Sequence, residues 1–304
     1  MSKYDLEKTS AIANKVIALM QNNNQEWFKP FTGDSKYGLG VFPRNIKGNT
    51  YSGMNLFILL LENYQYKQNT WITFKKTKEL GGQIIKGQKG TQIKFCGNIS
   101  KKDSNGADED YFVNKWYTVF NLDQTNLEEI KPELFQNNEN EMPLDLIQRD
   151  QAVDLFIKNT EAHIVHNKTG KCFYVPSKDM INMSPLDTWQ SQGDISKETF
   201  YYSTLLHELT HWTGHKDRLA RDINNGFGTS AYAFEELVAE LGSAILCGML
   251  GVSKQPMANH AQYLNNWITG LKEQPQLLLK ACTQAQRAYS FLKNLQSNEK
   301  REVA

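Results

Sequence analysis

A pair of histidines one helical turn apart constrains this sequence more than any other feature. His207 and His211 enclose Glu208 in the pattern His-Glu-Leu-Thr-His, within a segment, 200–214, whose apolar spacing predicts a helix. The i, i+4 spacing puts both imidazoles on one helix face, where they can bind one metal ion. Glu208 is then placed to accept a proton from water, which is the catalytic role of a general base. A zinc ion in such a site takes a third protein ligand and keeps one position open.

The third ligand is predicted on the next helix, over residues 231–251. Glu236 and Glu240 share one face of an otherwise apolar stretch, and buried carboxylates are costly unless they are paired or bind a metal. We assign Glu236 as the ligand and Glu240 as the acid that hydrogen-bonds a ligand imidazole. The reverse assignment stays open. Glu235 points elsewhere on the helix and is interpreted as an acid that favours the helix dipole.

Three further residues lie near this motif. The spacing to His215 differs from that of the third histidine in metzincins, and Gly214 predicts that the helix ends before it. We therefore interpret His215 as a rim residue and Trp212 as a packing residue. Tyr232 is a candidate hydrogen-bond donor to an oxyanion at the metal, with a purely structural role as the alternative.

The charge of the chain is balanced overall but uneven along it. The 304 residues carry a net charge of +1, which excludes a uniformly basic DNA coat and an acidic mimic of DNA. Residues 1–100 contain 14 Lys and Arg against 6 Asp and Glu, a charge of +8, and the remainder contains 20 against 27, a charge of −7. This gradient indicates a basic N-terminal module that meets an anion, although a solvated surface can show the same split.

Aromatic residues are interleaved with the N-terminal cations. Single-stranded nucleic acid is bound by cations along its backbone and by flat side chains against its bases, whereas motifs that read duplex DNA are absent from this sequence. Many of the aromatics are also expected to pack in a core. The candidate DNA-binding residues are Lys29, Lys36, Arg44, Lys47, Tyr51, Trp71, Phe74, Lys75, Lys86 and Lys89.

The pattern of elements predicts an α+β protein with two domains. Residues 1–125 indicate an α+β module with a small antiparallel sheet, and the polar segment 126–145 is typical of a linker. Residues 146–304 are mostly helical, with two short strands expected at 162–167 and 171–175, joined by a turn. The four cysteines form no CxxC pair, and neither a signal sequence nor a membrane span is apparent, so we expect a cytoplasmic protein.

The ordered segments resemble a known family. WFKPF, PRNIKGNTYSGMN, WITFKKTKELGGQIIKGQKGT and VFNLDQ resemble the N-terminal single-stranded-DNA-binding domain of ArdC-type antirestriction proteins. YVPSKDMINMSPL, YYSTLLHELTHWTGHKDRL and YAFEELVAELGSAIL resemble the zincin-like metallopeptidase domain of the same family. The resemblance covers nearly the whole chain in order and is weakest at residues 100–110.

This resemblance implies an antirestriction protein of a mobile genetic element that binds single-stranded DNA without sequence preference. It also implies a metal held by His207, His211 and a Glu of the EELVAE segment, with Zn²⁺ as the default and Mn²⁺ or another divalent ion as the alternative. The expected partners are single-stranded DNA and a host restriction enzyme or other host protein. The alternative function is an active zinc metallopeptidase that cleaves a host or regulatory protein and uses the DNA-binding domain for targeting. A plain metallopeptidase with an incidental basic face is a third reading.

Overall fold

The computed structural model describes residues 3–23, 27–28, 42–63, 65–102, 108–135, 146–223, 229–255 and 260–296. By their contacts these residues divide into two units. The smaller unit contains the described residues from 42 to 135, and the larger unit contains residues 3–23, 27–28 and everything described from residue 146 onward.

The smaller unit is built on a four-stranded sheet. Helix α1 (Lys3–Asn23) belongs to the larger unit, so the elements here are β1 (Arg44–Asn45), α2 (Gly53–Asn63), β2 (Thr70–Thr73), α3 (Phe74–Glu79), β3 (Thr91–Lys102), β4 (Asp108–Asn121) and α4 (Leu127–Ile130). The strand order is β1-β2-β4-β3, with β1 parallel to β2 and the other pairs antiparallel. The predicted antiparallel sheet is therefore present, with one short parallel strand added at its edge.

Side chains fix the helices and turns of the smaller unit to this sheet. Asn55 on α2 donates from Nδ2 to the Lys94 carbonyl (2.7 Å) and accepts from the Lys94 amide (2.8 Å), which attaches α2 to β3. Gln124 donates to the Lys89 carbonyl (2.9 Å) and so holds the turn before β3 against the end of β4. Residues 126–135 belong to the predicted linker, but Leu127 is fully buried, so this first part of the segment packs on the unit.

The larger unit consists of helices and a small sheet. Its helices are α1, α5 (Leu146–Lys158), α6 (Lys197–Trp212), α7 (Ser230–Leu250), α8 (His260–Glu273) and α9 (Gln276–Leu295). Helix α1 buries Ala13, Val16, Ile17 and Met20, which form one stripe at helical spacing. The helix packs on α8 and α9, whereas the sequence places it in the N-terminal domain. The domain boundaries drawn from the sequence stay a prediction.

The three-stranded sheet of the larger unit differs from the predicted hairpin. Strands β5 (His163–His166) and β6 (Phe173–Val175) form where expected, but β7 (Met180–Met183) lies between them. β7 pairs parallel to β5 and antiparallel to β6. It takes the central position because Ile181 and Met183 are fully buried in the core under α6, while the flanking strands are half exposed.

The close approach of α6 and α7 forms the centre of the larger unit. Helix α6 begins at Ser196, whose Oγ accepts from the Thr199 amide (3.2 Å), as N-cap residues do. At the crossing, a Cβ on Gly242 would lie 2.6 Å from Cγ2 of Thr210. Thr210 is fully buried and its hydroxyl donates to the Leu206 carbonyl (2.9 Å), so it cannot turn away. A glycine is therefore required at position 242.

None of the helices in the described ranges is both long enough and apolar enough to cross a membrane.

We expect Gly242→Ala to lower the free energy of unfolding by about 1–3 kcal/mol, because the added methyl group overpacks the contact with Thr210. Urea unfolding followed by circular dichroism measures this. Gly270→Ala on α8 is the matched control, since its new Cβ would lie 3.6 Å from Leu277, an ordinary contact. That control should be neutral or more stable by about 0.4–1 kcal/mol. Equal effects of the two substitutions would contradict the packing argument.

Candidate metal centre

Helices α6 and α7 bring three potential metal ligands together. His207 and His211 lie one turn apart on α6, and Glu236 faces them from the second turn of α7. The two Nε2 atoms are 3.2 Å apart, and each lies 3.5 Å from one oxygen of the Glu236 carboxylate. In the described part of the chain, these three residues form the one cluster of His, Cys, Asp and Glu with metal-ligand geometry.

The spacing of these atoms fits a tetrahedral ion. Zinc binds nitrogen and oxygen ligands at about 2.0–2.2 Å, and two such ligands at the tetrahedral angle are about 3.4 Å apart. The Nε2 atoms are 3.2 Å apart, and each lies 3.5 Å from a different oxygen of Glu236, so each separate distance is close to that value. Two imidazoles and one carboxylate leave a fourth position open, which is the donor set of catalytic rather than closed structural zinc sites.

The electrostatics of the three residues also favour a cation between them. Burial raises the pKa of Glu236, but His211 and His207 more than offset this and hold its pKa well below its ordinary value. Burial lowers the pKa of His211, but Glu236 and Glu235 outweigh that effect and raise its pKa well above the ordinary value. The buried site thus stabilises positive charge at His211, and a metal ion that binds there must displace the proton, because its ligands are deprotonated.

Glu235 has a different position from the one that the sequence suggested. Its Oε1 lies 3.1 Å from His211 Nδ1, and its two oxygens accept from Arg221 Nη2 (2.8 Å) and Nε (3.0 Å). Glu235 is 6% exposed, so it does not act as a surface acid at the helix start. A carboxylate on Nδ1 holds an imidazole with Nε2 toward the metal, which is the role predicted for Glu240.

Glu240 lies behind the other imidazole. Its Oε1 is 3.6 Å from His207 Nδ1, just beyond hydrogen-bond distance, and its Oε2 is 3.1 Å from Lys254 Nζ. Glu240 is 1% exposed and faces the Nδ1 side of His207 rather than the space between the Nε2 atoms. This geometry favours Glu236 over Glu240 as the third ligand.

Glu208, the candidate general base, is buried near the two imidazoles. It is 4% exposed and accepts a hydrogen bond from the Tyr174 amide of β6. Burial raises its pKa, an effect that the neighbouring His207 and His211 partly oppose. A raised pKa makes a carboxylate a better proton acceptor near neutral pH.

Tyr232 and His215 have partners that the sequence did not reveal. The Tyr232 hydroxyl is hydrogen-bonded to Glu236 and to Tyr263; burial and the charge of Glu236 raise its pKa. Tyr232 thus touches the candidate metal ligand.

His215 accepts through Nδ1 from the Asp217 amide (3.3 Å) and is not part of the ligand cluster. Trp212 is buried, with the Arg218 guanidinium 3.8 Å from its ring centroid, which agrees with a packing role.

The candidate DNA-binding residues fall into four groups. Lys47, Phe74, Lys75, Lys86 and Lys89 are exposed, Arg44 and Tyr51 are half-buried, Trp71 is buried, and Lys29 and Lys36 lie outside the described residues. The expectation for Trp71 is corrected, because the side chain is 0% exposed and its ring packs against Tyr66, so it offers no face to a base. Tyr51 packs near Tyr117, and burial raises its pKa.

Two pairs in the smaller unit were not predicted. Lys78 Nζ lies 5.9 Å from the ring centroid of Phe74, and Lys94 Nζ lies 5.7 Å from that of Trp116. Phe74 is 54% exposed. Cation and ring thus lie together on this unit, as they do in proteins that bind nucleic acid by stacking.

Comparison with known proteins shows the family. Residues 7–120 match the N-terminal domain of the anti-restriction factor ArdC, and residues 151–284 match a zincin-like metallopeptidase family. The metal-free crystal structure of the antirestriction protein ArdC from plasmid R388 is 33% identical, with a TM-score of 0.73 over 95% of this chain and 98% of the other. This chain belongs to the ArdC family of antirestriction proteins.

One further solved structure and three further proteins are similar to this ArdC-family chain. The Mn(II)-bound structure of the R388 protein is 31% identical, with a TM-score of 0.74 over 98% of this chain and 99% of the other. Two Escherichia coli proteins named DNA primase TraC are each 30% identical over 92% of this chain, which spans 19% and 26% of their lengths. The protein y4eC of Sinorhizobium fredii is 27% identical over 95% of this chain and 92% of its own length.

The ArdC family and its zincin-like fold imply a divalent metal, and the residues present fit one. One ligand atom from each of the three residues lies within 4.8 Å of the other two, and each ligand imidazole has a carboxylate on its Nδ1 side. Sequence reasoning missed Glu235, Arg221 and Lys254 in this arrangement. Glu235 adjoins the predicted ligand, but no spacing rule connects the two cations to the site.

We expect Glu236→Ala to weaken Zn²⁺ and Mn²⁺ binding by more than the roughly 10–100-fold that loss of a ligand's hydrogen-bond partner costs. Competition with a chelator measures the affinity. Glu128→Ala, at an exposed position on α4, should bind both ions like the wild type. Full affinity of Glu236→Ala together with loss in Glu240→Ala would give the ligand role to Glu240.

Proposed function

We propose that this protein protects the DNA of a mobile genetic element from restriction by binding it in single-stranded form through the smaller unit. In the larger unit, His207, His211 and Glu236 bind one divalent metal, with zinc as the default and manganese as the alternative. The proposal places the protein in the cytoplasm, where entering DNA meets host restriction enzymes. One of these enzymes, or another host protein, is the proposed protein partner.

The observation that carries the DNA-binding proposal is an exposed ring within a segment of strong net positive charge. Between residues 42 and 102 the chain contains eleven Lys and Arg but two Glu. Phe74 is 54% exposed at the start of α3, and the neighbouring Lys75 side chain is 89% exposed. Base stacking on an aromatic ring is worth about 1–3 kcal/mol per base and tolerates any sequence. A surface of this kind supports binding without sequence preference.

The geometry of the smaller unit supports this surface. Thr73 caps α3 by accepting from the Lys76 amide (3.2 Å), which fixes the direction in which Phe74 and Lys75 leave β2. Lys86 and Lys89 lie in the turn that Gln124 holds against the sheet. These cations are thus carried by defined elements, and their main chains need little ordering when they meet phosphates.

We expect Lys86→Glu/Lys89→Glu to weaken binding to single-stranded DNA and to reduce its salt dependence. The slope of log K against log salt should fall by about 0.7 for each phosphate that the variant no longer neutralises. Fluorescence anisotropy with labelled oligonucleotides of unrelated sequence, over a range of salt concentrations, measures both. Lys158→Glu/Lys168→Glu changes the net charge equally at exposed positions in the larger unit, and should bind like the wild type. Salt-independent binding by the wild type would remove the proposal.

A second candidate function is peptide hydrolysis, which Glu208 specifically favours. A site that only stabilised the fold would not need a buried carboxylate beside the two imidazoles, because such a group is costly to bury. A bound divalent ion supplies Lewis-acid polarisation of a carbonyl oxygen. Glu208 would accept a proton from water and deliver it to the leaving amine. Tyr232, which touches Glu236, is the nearby candidate donor to the developing oxyanion.

We expect Glu208→Gln to bind the metal like the wild type and to lower any peptide hydrolysis by about 10²–10⁴-fold, since Gln cannot accept the proton. Mass spectrometry of host-protein digests detects cleavage, and metal analysis confirms occupancy. A restriction-protection assay with the same variant separates the two functions. Protection that survives in Glu208→Gln shows that hydrolysis is not its cause, whereas loss of protection makes the peptidase the main function.

A further inference from the structure

A buried lysine lies behind the candidate metal centre. The Lys254 side chain is 0% exposed, with Nζ 3.1 Å from Glu240 Oε2 and 5.1 Å from the ring centroid of Phe28. It also donates to the Gln255 carbonyl (3.0 Å). A lysine is almost never fully buried unless it is paired. Its placement beside Glu240 therefore needs an explanation.

The two candidate ligand imidazoles share one pattern of support. Behind His207, Glu240 Oε1 lies 3.6 Å from Nδ1 and Lys254 follows it. Behind His211 the pattern is tighter, with Glu235 Oε1 3.1 Å from Nδ1 and the Arg221 guanidinium paired with both carboxylate oxygens. Each imidazole thus has a carboxylate on its Nδ1 side, and each of these carboxylates is paired with a cation. The four supporting residues come from different parts of the chain.

The charges of the buried centre add up to the complement of one divalent ion. Its carboxylates are Glu208, Glu235, Glu236 and Glu240, and its cations are Arg221 and Lys254. With all four carboxylates ionised and both imidazoles neutral, the summed charge of these groups is −2. Uncompensated charges in a protein interior are strongly unfavourable. Without the two cations the same site would hold −4, which one divalent ion would not balance.

We infer that Lys254 and Arg221 are positioning residues of the metal centre. Each holds a carboxylate against the Nδ1 side of one imidazole, so that Nε2 is directed to the metal. The inference rests on the proposed metal site at His207, His211 and Glu236. It assigns to these cations a role in metal affinity, through Glu240 and Glu235 respectively.

A purely structural role is the competing explanation, and the energetics of buried pairs speak against it. Apolar residues of similar volume often stabilise a protein as well as a buried ion pair does. Stability alone therefore does not select the Glu240–Lys254 pair inside an apolar region. Orientation of a ligand imidazole needs the carboxylate, and the carboxylate needs the cation.

The test is a double-mutant cycle on metal affinity with Lys254→Met, Glu240→Gln and the double variant. Zn²⁺ and Mn²⁺ affinities are measured by chelator competition. We expect each single substitution to weaken binding about 10–100-fold. The double variant should be no weaker than Glu240→Gln alone, because Lys254 acts through Glu240, and the effects will not add. Lys272→Met, at an exposed position of the same unit, should bind like the wild type.

Further variants and measurements distinguish a positioning role of Lys254 from misfolding and from loss of metal binding. The double variant contains no unpaired charge from this pair, so it remains testable if Lys254→Met does not fold. The visible absorption of bound Co²⁺ reports its coordination geometry and should change in Lys254→Met. Failure of the wild type to bind any divalent ion would end the proposed metal function. Wild-type binding that His207→Ala abolishes, with Lys254→Met binding as tightly as the wild type or more tightly, would overturn only the positioning role. Additive losses in the double variant would overturn it too.

Discussion

The contact between α6 and α7 is the constraint on which the candidate metal centre depends. Glycine at position 242 lets the helices approach until Thr210 touches the backbone of α7. Nearly two turns before that crossing point on α7, Glu236 meets the imidazoles of α6. Side chains as short as these reach one another only between closely packed helices. The ligand spacing of 3.2–3.5 Å is thus a consequence of helix packing as much as of ligand choice.

Burial of charge is the second constraint. It explains why residues that belong to no sequence motif lie at the candidate metal centre. An apolar helix pair that carries several carboxylates must supply matching positive charge inside the protein. Arg221 comes from the segment after α6 and Lys254 from the segment after α7. Both segments return to the carboxylates of the centre after their helices have ended. At the end of α7, Gly251 adopts a left-handed conformation with φ 67°.

Local spacing in the sequence predicted the candidate metal ligands. Tertiary packing determined which side chains surround them. The i, i+4 rule placed His207 and His211 on one face, because that arrangement depends on a single helix period. The position of Glu236 opposite them depends on the packing of α7 on α6. Glu235 could not be assigned in this way, since its partner Arg221 is 14 residues away and meets it only in the fold. Trp71 and Phe74 look equally suited to stacking in the sequence, yet the strand buries one ring and the helix start exposes the other. Likewise, β7 separates the expected hairpin strands because its own side chains are the more deeply buried ones.

The uneven charge of the sequence takes on a different meaning once these interior groups are counted. Residues 101–304 have a net charge of −7, but the four carboxylates and two cations of the centre account for −2 of it. That part is inside the protein and would be cancelled by one divalent ion. About −5 then remains for the rest of this segment, whereas residues 42–102 contain eleven Lys and Arg against two Glu. The contrast in charge between residues 42–102 and the remainder of the chain is therefore set mainly by the smaller unit, and a bound metal ion would change it only within the larger unit.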